Sequence, residues 1–216
     1  EMATHYIHRG LAKKNFKENT IPAFKCSFKK KYGVETDLHA TKDNRLVCFH
    51  YYNLNGKFNK NKKIKDINYS YLKKISNKKK AKVPLLNDLI KMSRNKYPLL
   101  LEIKPILSKN NLLSLIKLLK KIKKYGIISF KEKNLLNLYQ LNKKLPLGLS
   151  FFSTSKLKNI KIKSKKKHIK FLVLDKRFLS NRKLDLIKKP IYYYTIKNKN
   201  LFNRYKDSKN LIFENL

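Results

Sequence analysis

Acidic residues are scarce in this 216-residue chain, 13 against 54 basic ones, so the place of each carboxylate carries information. Glu35 and Asp37 stand two apart in GVETDLHAT (33–41), a run that reads as a β-strand, so their side chains share one face of the pleat. Glu102 comes near the end of a second apolar run, PLLLEIK (98–104), two residues before Lys104. Carboxylates converging at strand ends make an oxygen-rich site for a hard divalent cation, Mg2+ or Ca2+. Two acids at this spacing are more often an exposed face or paired with lysine, and spacing alone does not choose between these. Four of the five histidines, His5, His8, His39 and His50, fall in the first fifty residues. His8 and His50 close their strands, beside Arg9 and several acids, which suits a proton donor and acceptor around a transferring group. His5 and His39 sit inside strands, where structural roles are expected; His168 lies in a lysine-rich turn with no nameable partner.

The elements that would position these residues are short apolar runs alternating with longer amphipathic ones. Strands are expected at 4–8, 33–41, 45–50, 98–104, 126–130, 147–152, 169–175, 191–197 and 210–214. Helical patterns fall between them: IPAFKCSFKKKY, LLNDLIKMSRNKY, NNLLSLIKLLKKIKKYG with Gly126 as its stop, KNLLNLYQLNKKL and a short RKLDLIKK. Strand and helix in repetition predict an α/β protein with a parallel sheet. If the run ending at His50 pairs with its neighbour as a hairpin, eight strands remain, the number that closes a (β/α)8 TIM barrel. The length suits one domain, 1–216, a compact example of a fold that typically takes about 250 residues. The lysine-rich stretch 51–83 reads either as an insertion or lid over one end of the barrel or as a solvated loop.

A formal net charge of +41 invites a reading as a binder of nucleic acid or anionic membrane. Yet arginine is confined to six positions, whereas recognition of phosphates and bases draws on the planar fork of that side chain. Lys, Asn, Ile, Leu and Tyr are inflated together, as biased nucleotide composition would produce. No specific nucleic acid is expected, and a solvated lysine surface stands beside weak association with an anionic membrane or other polyanion. Hydrophobic residues at 42% exclude a disordered polycation. Cys26 and Cys48 lie in apolar settings with no metal spacing, and buried free thiols are expected. No apolar run approaches the ~20 residues of a membrane span, and the first runs straight into His-Arg-Gly, so a cytoplasmic location is expected.

The order HRG (8–10), ENT (18–20), AF (23–24), GVETDLHATKD (33–43), LVCFH (46–50), LLLEIK (99–104), IISF (127–130) and YYYTIKN (192–198) resembles the glycerophosphodiester phosphodiesterase family. The resemblance covers nearly the whole chain and thins after about residue 150. It implies a TIM-barrel hydrolase of lipid and glycerol metabolism that splits a small-molecule glycerophosphodiester into glycerol 3-phosphate and an alcohol. By position, it implies that Glu35, Asp37 and Glu102 hold a divalent cation and that His8 and His50 serve as general acid and base. Arg9 and Lys104 match the cationic residues that hold the phosphate, and Glu18 matches an accessory acid.

Departures from the family pattern are visible. Tyr51 stands where the family usually has Asp after its second His, Tyr194-Thr195 replaces a Trp-Thr pair but keeps an aromatic wall, and LIFENL (211–216) replaces the usual acid-bearing C-terminal signature. Substrate choice is therefore open to a lysophospholipid or another diester. A catalytically weakened polyanion or membrane-surface binder is the reading from a different class. Gly10 is expected to let the chain turn tightly beside the ligand, and Thr20 or Asn19 to cap the first helix.

Overall fold

The computed structural model describes residues 2–12 and 17–216. In chain order its elements are β1 (Tyr6–His8), α1 (Ile21–Lys29), β2 (Gly33–Ala40), β3 (Leu46–Cys48), β4 (Asn53–Leu54), α2 (Asn55–Phe58), β5 (Lys60–Lys63), α3 (Tyr69–Lys78) and α4 (Leu86–Ser93). There follow β6 (Leu99–Ile103), α5 (Lys109–Leu119), β7 (Tyr125–Ser129), α6 (Glu132–Leu141), β8 (Leu147–Ser150), α7 (Leu157–Ser164), β9 (Phe171–Asp175), β10 (Ile191–Ile196), α8 (Lys199–Tyr205) and β11 (Asn210–Phe213). Eight parallel strands run β1-β2-β6-β7-β8-β9-β10-β11, and β11 pairs with β1 to close a (β/α)8 barrel. The short β3 is the hairpin addition, antiparallel to β2 with Leu38 opposite Cys48.

Alternation along each strand divides the apolar residues between two layers. On β6, Leu99, Leu101 and Ile103 join the layer between barrel and helices, which α5 meets with Leu112, Leu115 and Leu119. Tyr6, Leu100, Ile128, Phe171, Val173 and Ile212 face the other way and fill the barrel interior. The same parity turns Glu35, Asp37 and Glu102 inward, above this apolar floor.

Three helix expectations change. The helix α5 ends at Leu119, and Gly126 lies inside β7, where the ring of Phe171 packs against it. RKLDLIKK forms only a 3-10 turn at Arg182–Leu184. Helices α7 and α8 were not anticipated, because α7 buries only Ile160 and Ser164, and α8 only Phe202, which leaves no apolar stripe to read.

The stretch 51–83 is not a solvated loop. Strands β4 and β5 pair, and Leu54, Phe58, Ile64 and Leu72 bury themselves with Val47 and Phe49 in a cluster separate from the barrel core. Tyr52 reaches back to the barrel mouth, its hydroxyl donating to the Lys104 carbonyl at 2.6 Å. Cys48 is buried, whereas Cys26 is only half-buried; both are free thiols. Among the described residues no helix is long and apolar enough to cross a membrane.

Gly148 faces inward on β8, and a Cβ there would overlap the Phe171 ring. Gly148→Ala is expected to lower unfolding free energy by about 1–3 kcal/mol through overpacking. Urea titration checks this; an unchanged midpoint would show that the ring is free to move aside.

Candidate active site

The C-terminal ends of the barrel strands enclose a cavity of about 220 Å3. His8, Arg9, Glu35, His50, Glu102 and Lys104 form a charged wall, and Ile128, Phe130, Val173, Tyr194 and Ile212 line the other side. Register explains the charged wall: His8 lies beside Glu35 across β1 and β2, and Asp37 beside Glu102 across β2 and β6. After His8 the chain turns sharply, with Arg9 at φ 58° and Gly10 at φ 74°. A side chain on Gly10 would come within 2.9 Å of Phe24 in a backbone conformation that L-residues resist.

Glu35, Asp37 and Glu102 are almost wholly buried, and one carboxylate oxygen from each lies within 4.8 Å of the others. Burial, reinforced by the charges of Asp37 and Glu102, holds the Glu35 carboxyl well above the usual carboxylate range. Burial and the contact with Asp37 push Glu102 up to about 8. Burial opposes ionisation of Asp37 too, but its hydrogen bonds to His50 and Glu102 and the charge of Arg9 hold it far below the usual range. Oε2 of Glu35 is buried with no hydrogen-bond partner. Three acids that repel one another, with one oxygen unsatisfied, fit a hard divalent cation as the missing counter-charge.

Each partner of the triad is itself placed. Lys104 Nζ lies 3.3 Å from Glu102 and 3.9 Å from Asp37. Arg9 Nε stands 3.2 Å from Asp37 Oδ2, and Nη1 donates to both oxygens of Glu18 at 3.2–3.3 Å. Glu18 thus stays on the flank, shared between Arg9 and Lys57, rather than in the cavity wall. Asn19 donates to Asp37 Oδ2 at 3.0 Å and accepts from Thr36 at 2.7 Å. Its side chain therefore orients a carboxylate and caps nothing. Thr20 occupies the cap position of α1, but its hydroxyl donates to the Lys17 carbonyl and makes no cap bond.

The two histidines are anchored on opposite sides. Nδ1 of His50 lies 3.3 Å from Asp37 Oδ1, and Arg9 Nη2 approaches Nδ1 at 2.8 Å and Nε2 at 3.1 Å. One nitrogen of the neutral ring cannot donate to the carboxylate and accept from the guanidinium together, so the tautomer of His50 sets which of the two contacts Nδ1 makes. His8 turns Nδ1 to Glu214 Oε2 at 2.7 Å, while Nε2 lies 3.9 Å from Glu35. Glu214 was missed in the sequence: LIFENL does carry an acid, two residues beyond the inward-facing Ile212. Pleat parity was the signal that could have found it. Its partners His8 and Lys197 hold its carboxyl down to about 2.

The remaining histidines have structural partners. His39 Nε2 faces the His50 carbonyl at 3.2 Å, and burial pushes its pKa down to about 4, so the neutral ring is the donor. His5 lies just outside β1, between the Lys206 carbonyl and the Leu211 amide. His168, expected to stand alone, pairs with Glu132 at 2.8 Å. Tyr51 is exposed and meets His50 edge to face at 4.9 Å. Tyr194 keeps the aromatic wall, its ring 6.0 Å from Phe130 and its hydroxyl donating to the Phe151 carbonyl.

The family model described as "Glycerophosphoryl diester phosphodiesterase family" matches residues 8–207. The chain belongs to this family. The enzyme is thus a phosphoric diester hydrolase by family. Its fold is similar to a glycerophosphodiester phosphodiesterase from Thermotoga maritima at 20% identity, TM-score 0.82, over 99% of this chain and 95% of the other. An Oleispira antarctica phosphodiesterase, solved in complex with the product sn-glycerol-3-phosphate, is 18% identical at TM-score 0.81, over 99% and 93%. A protein from Galdieria sulphuraria described as a glycerophosphodiester phosphodiesterase is 17% identical at TM-score 0.82, over 99% and 94%. No curated protein sequence is significantly similar to the chain. Glu214 lies beyond the family-matched residues.

Because the folded Glu214 carboxyl titrates near 2 against an ordinary 4.5, its contribution to stability is present above pH 4.5 and lost as pH falls toward 2. Urea unfolding of the enzyme and of Glu214→Gln should differ at neutral pH and converge in acid. A difference that persists undiminished at the lowest pH would refute the coupling.

Proposed function

We propose that the enzyme hydrolyses glycerophosphodiesters to glycerol 3-phosphate and an alcohol. One observation carries this: two imidazoles, each with Nδ1 beside a carboxylate, flank a buried carboxylate triad and two cations around one cavity. A phosphodiester is an anion with a poor alkoxide leaving group, so its hydrolysis requires neutralised non-bridging oxygens and a proton for the departing oxygen.

Glu35, Asp37 and Glu102 would hold the divalent cation, Mg2+ or Ca2+, which supplies positive charge against the phosphate oxygens when bound. Arg9 and Lys104 supply further positive charge from the protein itself and orient the phosphate. His8 and His50 act as the acid and base pair. One imidazole takes the proton of the attacking oxygen as its bond to phosphorus forms. The other protonates the alcohol oxygen as its bond to phosphorus breaks. Glu214 and Asp37 keep each ring in register, Glu18 steadies Arg9, and Tyr194 closes the wall beside the substrate.

A second reading, a diester whose alcohol arm carries an acyl chain, as in a lysophospholipid, is favoured by Phe152. This side chain is 62% exposed and stacks on the cavity-lining Phe130 at 4.5 Å. The lysine-rich surface also supports weak association with anionic membranes or polyanions, weakening as salt rises.

Release of glycerol 3-phosphate from glycerophosphocholine and glycerophosphoethanolamine is expected with Mg2+ or Ca2+ and not with EDTA. Glu35→Ala and His8→Ala should each lose about 100-fold or more in turnover while the circular dichroism spectrum stays native. Full activity in both variants would overturn these roles. Preferential turnover of lysophosphatidylcholine in the same assay would select the second reading.

A further inference from the structure

Buried polar side-chain atoms without a partner are rare in folded proteins, and each calls for an explanation. Among the described residues four have no hydrogen-bond partner: Arg9 Nε and Glu35 Oε2, which sit in ion pairs with Asp37 and His8, and Ser150 Oγ and Asn111 Oδ1. Asn111 lies on α5, outside the barrel, whereas Arg9, Glu35 and Ser150 all line the cavity. Arg9 and Glu35 belong to the charged wall; Ser150 does not.

Ser150 ends β8, four strands from β1 in either direction around the barrel, and so faces the charged wall from across the cavity. Leu147 and Leu149 join the layer against the helices, so pleat parity turns Gly148 and Ser150 inward. The residue is 4% exposed. Its neighbours in the wall are apolar: Val173 in register on β9, Ile128 on β7 and Ile212 on β11. Two other hydroxyls are already committed, Ser129 to the Ile103 carbonyl and Tyr194 to the Phe151 carbonyl. The Ser150 hydroxyl, able both to donate and to accept, has been given nothing by the protein.

We infer that Ser150 Oγ is the hydrogen-bond partner of a hydroxyl on the glycerol arm of the substrate, and that it selects glycerol over a plain alkyl arm. The inference rests on the proposed glycerophosphodiester reading of the site. With the phosphate held on the charged wall, a three-carbon arm extending across the cavity enters an apolar surroundings that would leave its hydroxyls unpaired. Ser150 is the buried hydroxyl on that side that no protein group satisfies, with Thr195 lining the cavity two strands away on β10. An alkyl arm would leave the serine as unsatisfied as before, so the hydroxyl rewards glycerol alone.

The experiment is calorimetric binding of sn-glycerol 3-phosphate and of n-propyl phosphate, which has the same carbon chain without hydroxyls, to the enzyme and to Ser150→Ala in Mg2+ buffer. The enzyme should prefer glycerol 3-phosphate on the order of tenfold, and Ser150→Ala should lose that preference by weaker binding of glycerol 3-phosphate alone. A merely structural serine would change both affinities or neither. Equal binding of the two ligands by the enzyme, or an unchanged ratio in the variant, overturns the assignment of Ser150 and leaves the phosphate site standing. Failure of glycerol 3-phosphate to bind the enzyme overturns the glycerophosphodiester reading itself and this inference with it.

Discussion

Three almost wholly buried carboxylates, each with an oxygen within 4.8 Å of the others, are the constraint around which the rest of the structure is arranged. Like charges at such separations cannot all ionise in a medium of low polarity without compensation. The protein answers with Arg9 and Lys104 from two different strand ends, with the amide of Asn19 on Asp37, and with the imidazole of His50. Even so, two of the three acids remain hard to ionise and one oxygen remains unmet. The same crowding that keeps two of the acids from ionising fits the triad to hold a small hard ion.

The two walls of the cavity differ in character. Charge collects on the side of β1, β2 and β6, where residues two apart on adjacent strands share one inward face. The opposite side, supplied by β7 to β11, is largely apolar and shapes the space instead of polarising it. The barrel allows this division because each strand end contributes independently while the floor of Tyr6, Leu100 and Phe171 stays fixed.

Much of this was legible in the sequence because barrel strands are short apolar runs and the pleat has a strict period of two. That period alone placed Glu35 with Asp37, and scarcity of acids made Glu102 conspicuous among lysines. The unread parts failed for physical reasons. Contact between His8 and Glu214 joins residues 206 apart, which no local pattern reports. Asn19 resembled a helix cap because its neighbours Ile21 and Pro22 open a helix, yet its side chain turns the other way. In the stretch 51–83 the buried Leu54, Phe58, Ile64 and Leu72 are spaced among so many lysines that their shared cluster has no visible period. Helices α7 and α8 each cover the barrel with too narrow a stripe to be distinguished from loop.

Closure of the barrel by β11 against β1 has a consequence for the order in which competence is acquired. His8 enters the structure with the first strand, but the carboxylate that sets its ring arrives with the last. During synthesis the chain must therefore carry every other group of the site, folded or not, before its first histidine is held in place. A nascent barrel lacking its final strand leaves the His8 ring without that carboxylate, so the geometry of the cavity mouth belongs only to the finished circle.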